Sequence, residues 1–291
     1  MQKNLRYKML TNYHTHTVFC DGRFEAECFV EEAVRQGMSA LGFSAHAPVN
    51  FATGWTINPA RLGEYYNEIH RLKSVYADKL DIYCALEADF FPDILTDVQK
   101  LYSAYRWDYI IGSVHFIGIK ANGQRWCIDG PHDEFLEGWR QIMDADPIKP
   151  VREYFEYTRQ LVRRMKPDII GHVDKIKIQH RPDCIIADSH PFFREQMMAT
   201  LEEIAATDCI VEVSTRGIHK GQTEDYFPGR WAFAEMKKMG IPVTINSDAH
   251  TVDALTFGFD KAEAQLYHSG YREIMTMKDG KWEEREICLN D

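Results

Sequence analysis

Short apolar runs alternate along the chain with stretches whose apolar residues recur at helical spacing. Seven runs read as strands: KMLTNYH (8–14), SALGFSAH (39–46), LDIYCALEADF (80–90), DYIIGSVHF (108–116), DIIGHVD (168–174), CIVEVS (209–214) and PVTINSDAH (242–250). Aliphatic and β-branched residues fill them and turn formers bound them, as in strands buried on both faces. Between them, 61–78 sets Leu62, Tyr65, Tyr66, Ile69, Leu72, Val75 and Tyr76 on one helical face. The segment 151–166 does the same with Val151, Tyr154, Phe155, Thr158, Leu161, Val162 and Met165, and Pro167 stops it. Pro191 opens a third helix that runs through Met197, Met198, Leu201 and Ile204. Shorter helices fit 25–36 and 230–239, ending near Gly37 and Gly240, and the tail (about 272–290) reads as a hairpin turning at Asp279-Gly280. With no repeat, low-complexity tract or linker, 1–291 reads as one domain. Strand–helix alternation predicts a parallel sheet, closed into a barrel or doubly wound.

The polar residues sharpen this picture. His14, His16, His46, Glu87, His115, His172, Asp248 and His250 each fall at or near the C-terminal end of an apolar run, and Asp21 follows the first. In parallel α/β folds that edge carries the active site. Six of the 12 histidines lie there. Strand side chains alternate, so His14 and His16 share a face, as do Asp248 and His250. One such pair proves little, because a buried histidine is more often a hydrogen-bonded core residue. Two pairs plus ligands on four further strand ends are hard to explain as core, since clustered imidazoles disfavour one another's charged forms. Imidazole and carboxylate without thiolate suit zinc, manganese or iron. Nine candidates are too many for one ion and suit three divalent ions with a bridging carboxylate.

Charge and composition exclude other classes. Lys+Arg 34 against Asp+Glu 44 leaves a net charge of −10, with no basic run to track nucleic acid. The 7 cysteines are scattered with no C-x-x-C, which reads as reduced thiols in a cytoplasmic protein. MQKNLRYKML has no apolar signal region, and no run approaches a membrane span. The sixth strand runs into EVSTRGIHKG (212–221), where Arg216, His219 and Lys220 put cations at the same rim to clamp an anionic group, which the resemblance described below implies to be phosphate; His219 is also a candidate proton donor. The lid-like excursion 117–150, with a hairpin tip at Asn122-Gly123 and Trp126 and Trp139 to pack it, and the loop 47–60 read as walls of a substrate pocket.

The ordered set HTH…D (14–21), SAH (44–46), LEADF (86–90), GSVHF (112–116), GHVDKIK (171–177) and NSDAH (246–250) resembles the PHP family of metal-dependent phosphoesterases over nearly the whole chain, and within it most the stand-alone histidinol-phosphatases. The resemblance implies a distorted seven-stranded (β/α) barrel with a trinuclear site at the C-terminal ends of the strands. It implies one ion on His14, His16, Glu87 and Asp248, a second on Glu87, His115 and His172, and a third on Asp21, His46 and His250. It further implies hydrolysis of a small phosphate ester, L-histidinol phosphate to L-histidinol and phosphate in histidine biosynthesis, by a metal-bridging hydroxide. The alternative it leaves is another small phosphate ester or a nucleotide. An amidohydrolase would often place a bridging lysine at the fourth strand end, where Ser113-Val114-His115 stands. A non-catalytic metal-binding module would not need cations on the same rim.

Overall fold

The computed structural model describes residues 9–92, 103–181 and 184–289. Each of the seven apolar runs yields a strand: β1 (Thr11–Asn12), β2 (Ala40–His46), β3 (Asp81–Asp89), β4 (Ile110–Ser113), β7 (Ile169–Ile170), β8 (Ile210–Ser214) and β9 (Val243–Asn246), with β5 (Phe116–Ile119) and β6 (Arg125–Cys127) forming a side hairpin. The seven pair in chain order β1-β2-β3-β4-β7-β8-β9, all parallel. The first and last strands meet through a parallel bridge between Thr15 and Ala249, where His16 N–H donates to Ala249 O (2.8 Å) and Ala249 N–H to His14 O (3.0 Å). The sheet is therefore a nearly closed barrel, which settles the choice that alternation alone left open. Lys8 of the first predicted strand and Asn290 of the tail lie outside the described residues.

The ladders are shorter than the apolar runs. His14, His115, His172 and Asp248 each sit two residues past the last residue of their strand. The period of two keeps them on the inward face while the backbone is free to bend. His172 (φ 23°) and Asp248 (φ 49°) take left-handed backbone that non-glycine residues rarely adopt, strain of order 1–3 kcal/mol of the kind that collects at functional sites. Asp248 and His250 thus reach the site through a turn rather than by simple strand alternation.

The helices follow their stripes: Ala26–Arg35, Leu62–Val75, Lys149–Arg164 and Pro191–Ala205. The 230–239 segment starts as a 3-10 turn, Arg230–Ala232, before the helix Phe233–Lys238. Two further helices of ten or more residues lie outside those expected: His132–Ile142, whose Phe135, Leu136, Trp139 and Ile142 recur at helical spacing inside the 117–150 excursion, and Phe259–His268, which carries no clear stripe. The buried face of the second is Phe259, Ala262, Glu263 and Leu266, so a small residue and a carboxylate stand where a stripe needs bulk. In the first, Gly138 gives way to Trp126, whose indole lies 2.3 Å from where a Cβ would stand.

The tail forms β10 (Glu273–Lys278) and β11 (Lys281–Glu286), joined at Asp279-Gly280 with φ 49° and 72°. This hairpin stoppers the barrel at the end away from the histidines. Trp282 packs edge-on to Tyr13 (ring centroids 5.0 Å), Met277 N–H donates to Tyr13 Oη (2.7 Å), and Tyr83 Oη–H donates to Met277 O (3.1 Å).

Candidate metal centre

Glu87 stands at the middle of the cluster. It is the ladder partner of His46 across β2 and β3. Its Oε2 lies 3.1 Å from His14 Nε2, 3.4 Å from His16 Nε2 and 2.9 Å from His46 Nδ1. Its Oε1 faces the other way, 2.9 Å from His172 Nε2 and 3.6 Å from His115 Nε2, and accepts from Ser113 Oγ (2.6 Å). One carboxylate thus presents an oxygen to each of two imidazole groups, the geometry of a bridge.

Asp248 and Asp21 complete the ring. Asp248 Oδ1 lies 3.1 Å from His16 Nε2 and 3.4 Å from His250 Nδ1. Asp21 Oδ2 lies 3.1 Å from His250 Nε2, and its Oδ1 3.6 Å from His46 Nε2. Among the described residues three groups of potential ligands converge: His14, His16 and Asp248; His46, Glu87 and His115; and His16, Asp21, His46 and His250. All nine candidate ligands are therefore brought together, with His172 joined through Glu87.

The donor chemistry fits metal. His14 Nε2, His16 Nε2, His46 Nδ1, Glu87 Oε2 and Asp248 Oδ1 are buried and make no hydrogen bond to the described residues, although they crowd against one another. Leaving such atoms unsatisfied is costly, and a shared cation resolves it. The far sides of two rings are held by carboxylates. Glu212 accepts from His14 Nδ1 at 3.0 Å, and Asp89 from His115 Nδ1 at 2.8 Å, so in the neutral rings the proton sits on Nδ1 and Nε2 is left to a metal.

Protonation is uneven across the cluster. Burial alone would lower His14, but Glu212, Glu87 and Asp248 outweigh it and hold its imidazolium well above the usual range. Burial likewise opposes the charged form of His46, yet Glu87 and Asp21 raise it. His16 goes the other way, lowered by burial and by the neighbouring His250 and His46. Burial would raise Glu87, but His14, His46 and His115 hold it far below the usual carboxylate value. Protons here occupy places that divalent ions would take.

The cluster opens into a cavity of about 160 Å³, whose walls include Trp55, Cys127, Asp129, Lys175 and Arg216 beside the ligands. Trp55 comes from the predicted wall loop 47–60, with its ring 4.5 Å from that of His46 and stacked on Phe116 at 5.5 Å. Cys127 and Asp129 come from the 117–150 excursion. Arg216 donates through Nη1 to Asp248 O and His250 Nδ1, both at 2.7 Å, and its Nε lies 3.3 Å from Asp248 Oδ2. Of the three cations singled out in the sequence, it alone lines the cavity. His219 is turned to Asp253 on the rim (Nε2 to Oδ2 3.1 Å), and Lys220 is exposed, off the wall. The exposed Asp253 carboxylate offers His219 a partner that the cavity does not.

Sequence reasoning missed Lys175, Asp129, Glu212 and Asp89 as site residues. Faint signals existed. Asp89 is two residues along β3 from Glu87, hence on the same face, and Lys175 follows His172 by three. Glu212 opens the EVSTRGIHKG stretch at the same rim, and nothing in the sequence ties Asp129 to the site.

A parallel barrel whose C-terminal rim gathers imidazoles around one central carboxylate defines a metal-binding (β/α) barrel protein. The PHP domain model matches residues 12–216, and the chain belongs to that family. Among its relatives, a protein of Deinococcus radiodurans named "Probable histidinol-phosphatase" is 28% identical over 270 residues, spanning 91% of this chain and 95% of its own. The Bacillus subtilis histidinol-phosphatase is 26% identical over 266 residues, spanning 85% and 96%. The histidinol phosphate phosphatase of Lactococcus lactis, solved with zinc, L-histidinol and phosphate, shares the fold with a TM-score of 0.73 at 21% identity, covering 94% of this chain and 98% of that one. The expectation of a PHP-type barrel holds.

Proposed function

We propose that the chain is a metal-dependent phosphomonoester hydrolase, a histidinol-phosphatase that converts L-histidinol phosphate and water to L-histidinol and phosphate. The observation that carries this is Glu87, whose two oxygens face two separate imidazole groups at the floor of a cavity with fixed cations in its wall. The full-length relatives named for this activity support it.

Three divalent ions, of zinc, manganese or iron, fit the nine ligands: His14, His16, Glu87 and Asp248; Glu87, His115 and His172; and Asp21, His46 and His250. When bound, such ions neutralise the phosphate and make water nucleophilic near neutral pH. The chain's own residues do the rest. Glu212 and Asp89 fix the tautomers of His14 and His115. Arg216 holds Asp248 and His250 in place and offers its remaining donor positions to a phosphoryl oxygen. Trp55 covers the mouth and limits water around the ester. The substrate is a small molecule; a cavity of about 160 Å³ inside a chain of net charge −10 suits no nucleic-acid strand.

The test is kcat/KM for phosphate release from L-histidinol phosphate, p-nitrophenyl phosphate and a short oligonucleotide, after reconstitution with Mn²⁺ or Zn²⁺. The expected preference for histidinol phosphate is about a hundredfold or more, roughly 2.7 kcal/mol of differential transition-state binding. Equal, slow turnover of both monoesters would point to another small phosphate, and cleavage of the oligonucleotide alone would overturn the proposal.

A further inference from the structure

A second cavity, of about 380 Å³, shares no wall residue with the metal cavity. It lies between the short helix Arg216–His219, preceded by Thr215, and the start of the helix Phe259–His268. Leu10, Ile218, Tyr226, Phe257 and Phe259 make its wall largely apolar. Phe257 is 40% exposed, with its ring edge-on to His219 at 5.0 Å. The polar groups gather at one end. The helix Phe259–His268 starts from Gly258 (φ 73°), where no side chain caps the N–H groups of its first turn. Those first-turn residues, Phe259, Asp260 and Lys261, all line the cavity. Thr215 lines it too, next to the helix start: a Cβ at Gly258 would stand 3.8 Å from its side chain. Thr215 is fully buried, and its Oγ1 has no hydrogen-bond partner among the described residues.

A buried hydroxyl without a partner is costly, and here valine would fill the same space without the penalty. An uncapped helix start beside it is a ready acceptor site for a carboxylate. The volume falls within the roughly 300–1,000 Å³ of small-molecule pockets, and such pockets combine apolar walls with a few convergent polar groups. We infer that this cavity is a second ligand site, for a small monocarboxylic acid with an apolar, ring-sized body. The carboxylate accepts from the first-turn N–H groups, from Thr215 Oγ1–H and from the Lys261 ammonium, while the body packs on Leu10, Ile218 and the two phenylalanines. Asp260 shares the lip, so a single negative charge fits beside Lys261 where a phosphate dianion would be repelled. The site is separate from the metal centre and stands whether or not the phosphatase reading holds.

The test is calorimetry on the Mn²⁺-loaded full chain, with inorganic phosphate present to occupy the metal cavity. The probes are 3-phenylpropionate and its uncharged counterpart, 3-phenylpropan-1-ol. The acid should bind with a Kd of about 1 mM or tighter, and the alcohol about tenfold more weakly. Thr215→Val and Lys261→Met should each weaken the acid by about fivefold or more and leave the alcohol unchanged. Thr215→Val should also keep or raise the melting temperature of the ligand-free protein, since it removes a hydroxyl that nothing satisfies. Lys261 is exposed, so its variant reports on binding even if Thr215→Val fails to fold. Equal affinity for acid and alcohol would overturn the inference, as would the absence of saturable binding up to about 20 mM acid. Acid affinity that falls as phosphate is raised would place the probe on the metals and overturn it too. A dimer abolished by Phe257→Ser would assign the cavity to a second copy of the chain, with the same consequence.

Discussion

Glu212 offers a direct way to weigh what lies behind the ligands. Both its oxygens lie close to His14 Nδ1, at 3.1 and 3.0 Å, and both side chains are fully buried. In Glu212→Gln the shape is kept and the charge is lost. The amide can accept from Nδ1–H with its oxygen, but a flipped amide would push the proton onto Nε2, the atom aimed at Glu87 and Asp248. A hydrogen bond to a charged group is worth about 1.5–3 kcal/mol and a neutral one about 0.5–1.5 kcal/mol, so the difference here is about 1–2 kcal/mol. That corresponds to roughly five- to thirtyfold weaker metal binding, overlapping the roughly ten- to hundredfold range seen when outer partners of metal-bound histidines are changed. Competition against a chelator of known affinity reads this directly, and melting of the metal-free proteins separates it from a general loss of stability. Affinity within twofold of wild type would refute the reasoning, as would a loss of melting temperature in the metal-free variant large enough to account for the weaker binding.

Three more outcomes follow from the geometry. Arg216→Ala should lower kcat/KM by about tenfold or more, and a change under about twofold would remove it from the mechanism. Metal uptake should release protons near pH 6–7, because His14 and His46 are raised above the usual histidine value and must lose their protons to bind. The release should fade as pH rises through those raised values, and calorimetry in buffers of different ionisation enthalpy counts it; no proton release anywhere in that window would contradict the assignment. Gly42→Ala would place a Cβ 1.9 Å from Tyr109 Oη, inside the packed barrel floor, and should destabilise the protein by about 1–3 kcal/mol, read from denaturant unfolding.

How far the sequence could be read depended on the kind of signal each residue carries. The seven strands were visible because burial on both faces demands unbroken apolar runs, and the nine candidate ligands because histidines and acids at the ends of such runs have no cheap alternative use. Closure of the barrel was not visible in the strand pattern and came only from the family resemblance, since it depends on the Thr15–Ala249 bridge, a contact between distant residues. The helix Phe259–His268 escaped notice because Glu263 occupies a buried position. Of the cations after the sixth strand, Arg216 faces the cavity and His219 does not, a choice decided by Asp253 rather than by spacing. Lys175 and Glu212 each lie beside a ligand that only the folded chain supplies.

The bridge between Thr15 and Ala249 also bears on how the molecule comes into being. It joins two segments more than two hundred residues apart, and the ligands straddle it, His14 and His16 on one side and Asp248 and His250 on the other. Contacts of such long range form late in folding, after the local strand–helix units. A chain with only its first six strands in place, during synthesis or after partial unfolding, would hold His46, Glu87 and His115 but lack Asp248 and His250. Metal would therefore bind the closed barrel in preference to its precursors, and by mass action each captured ion would hold the seam shut.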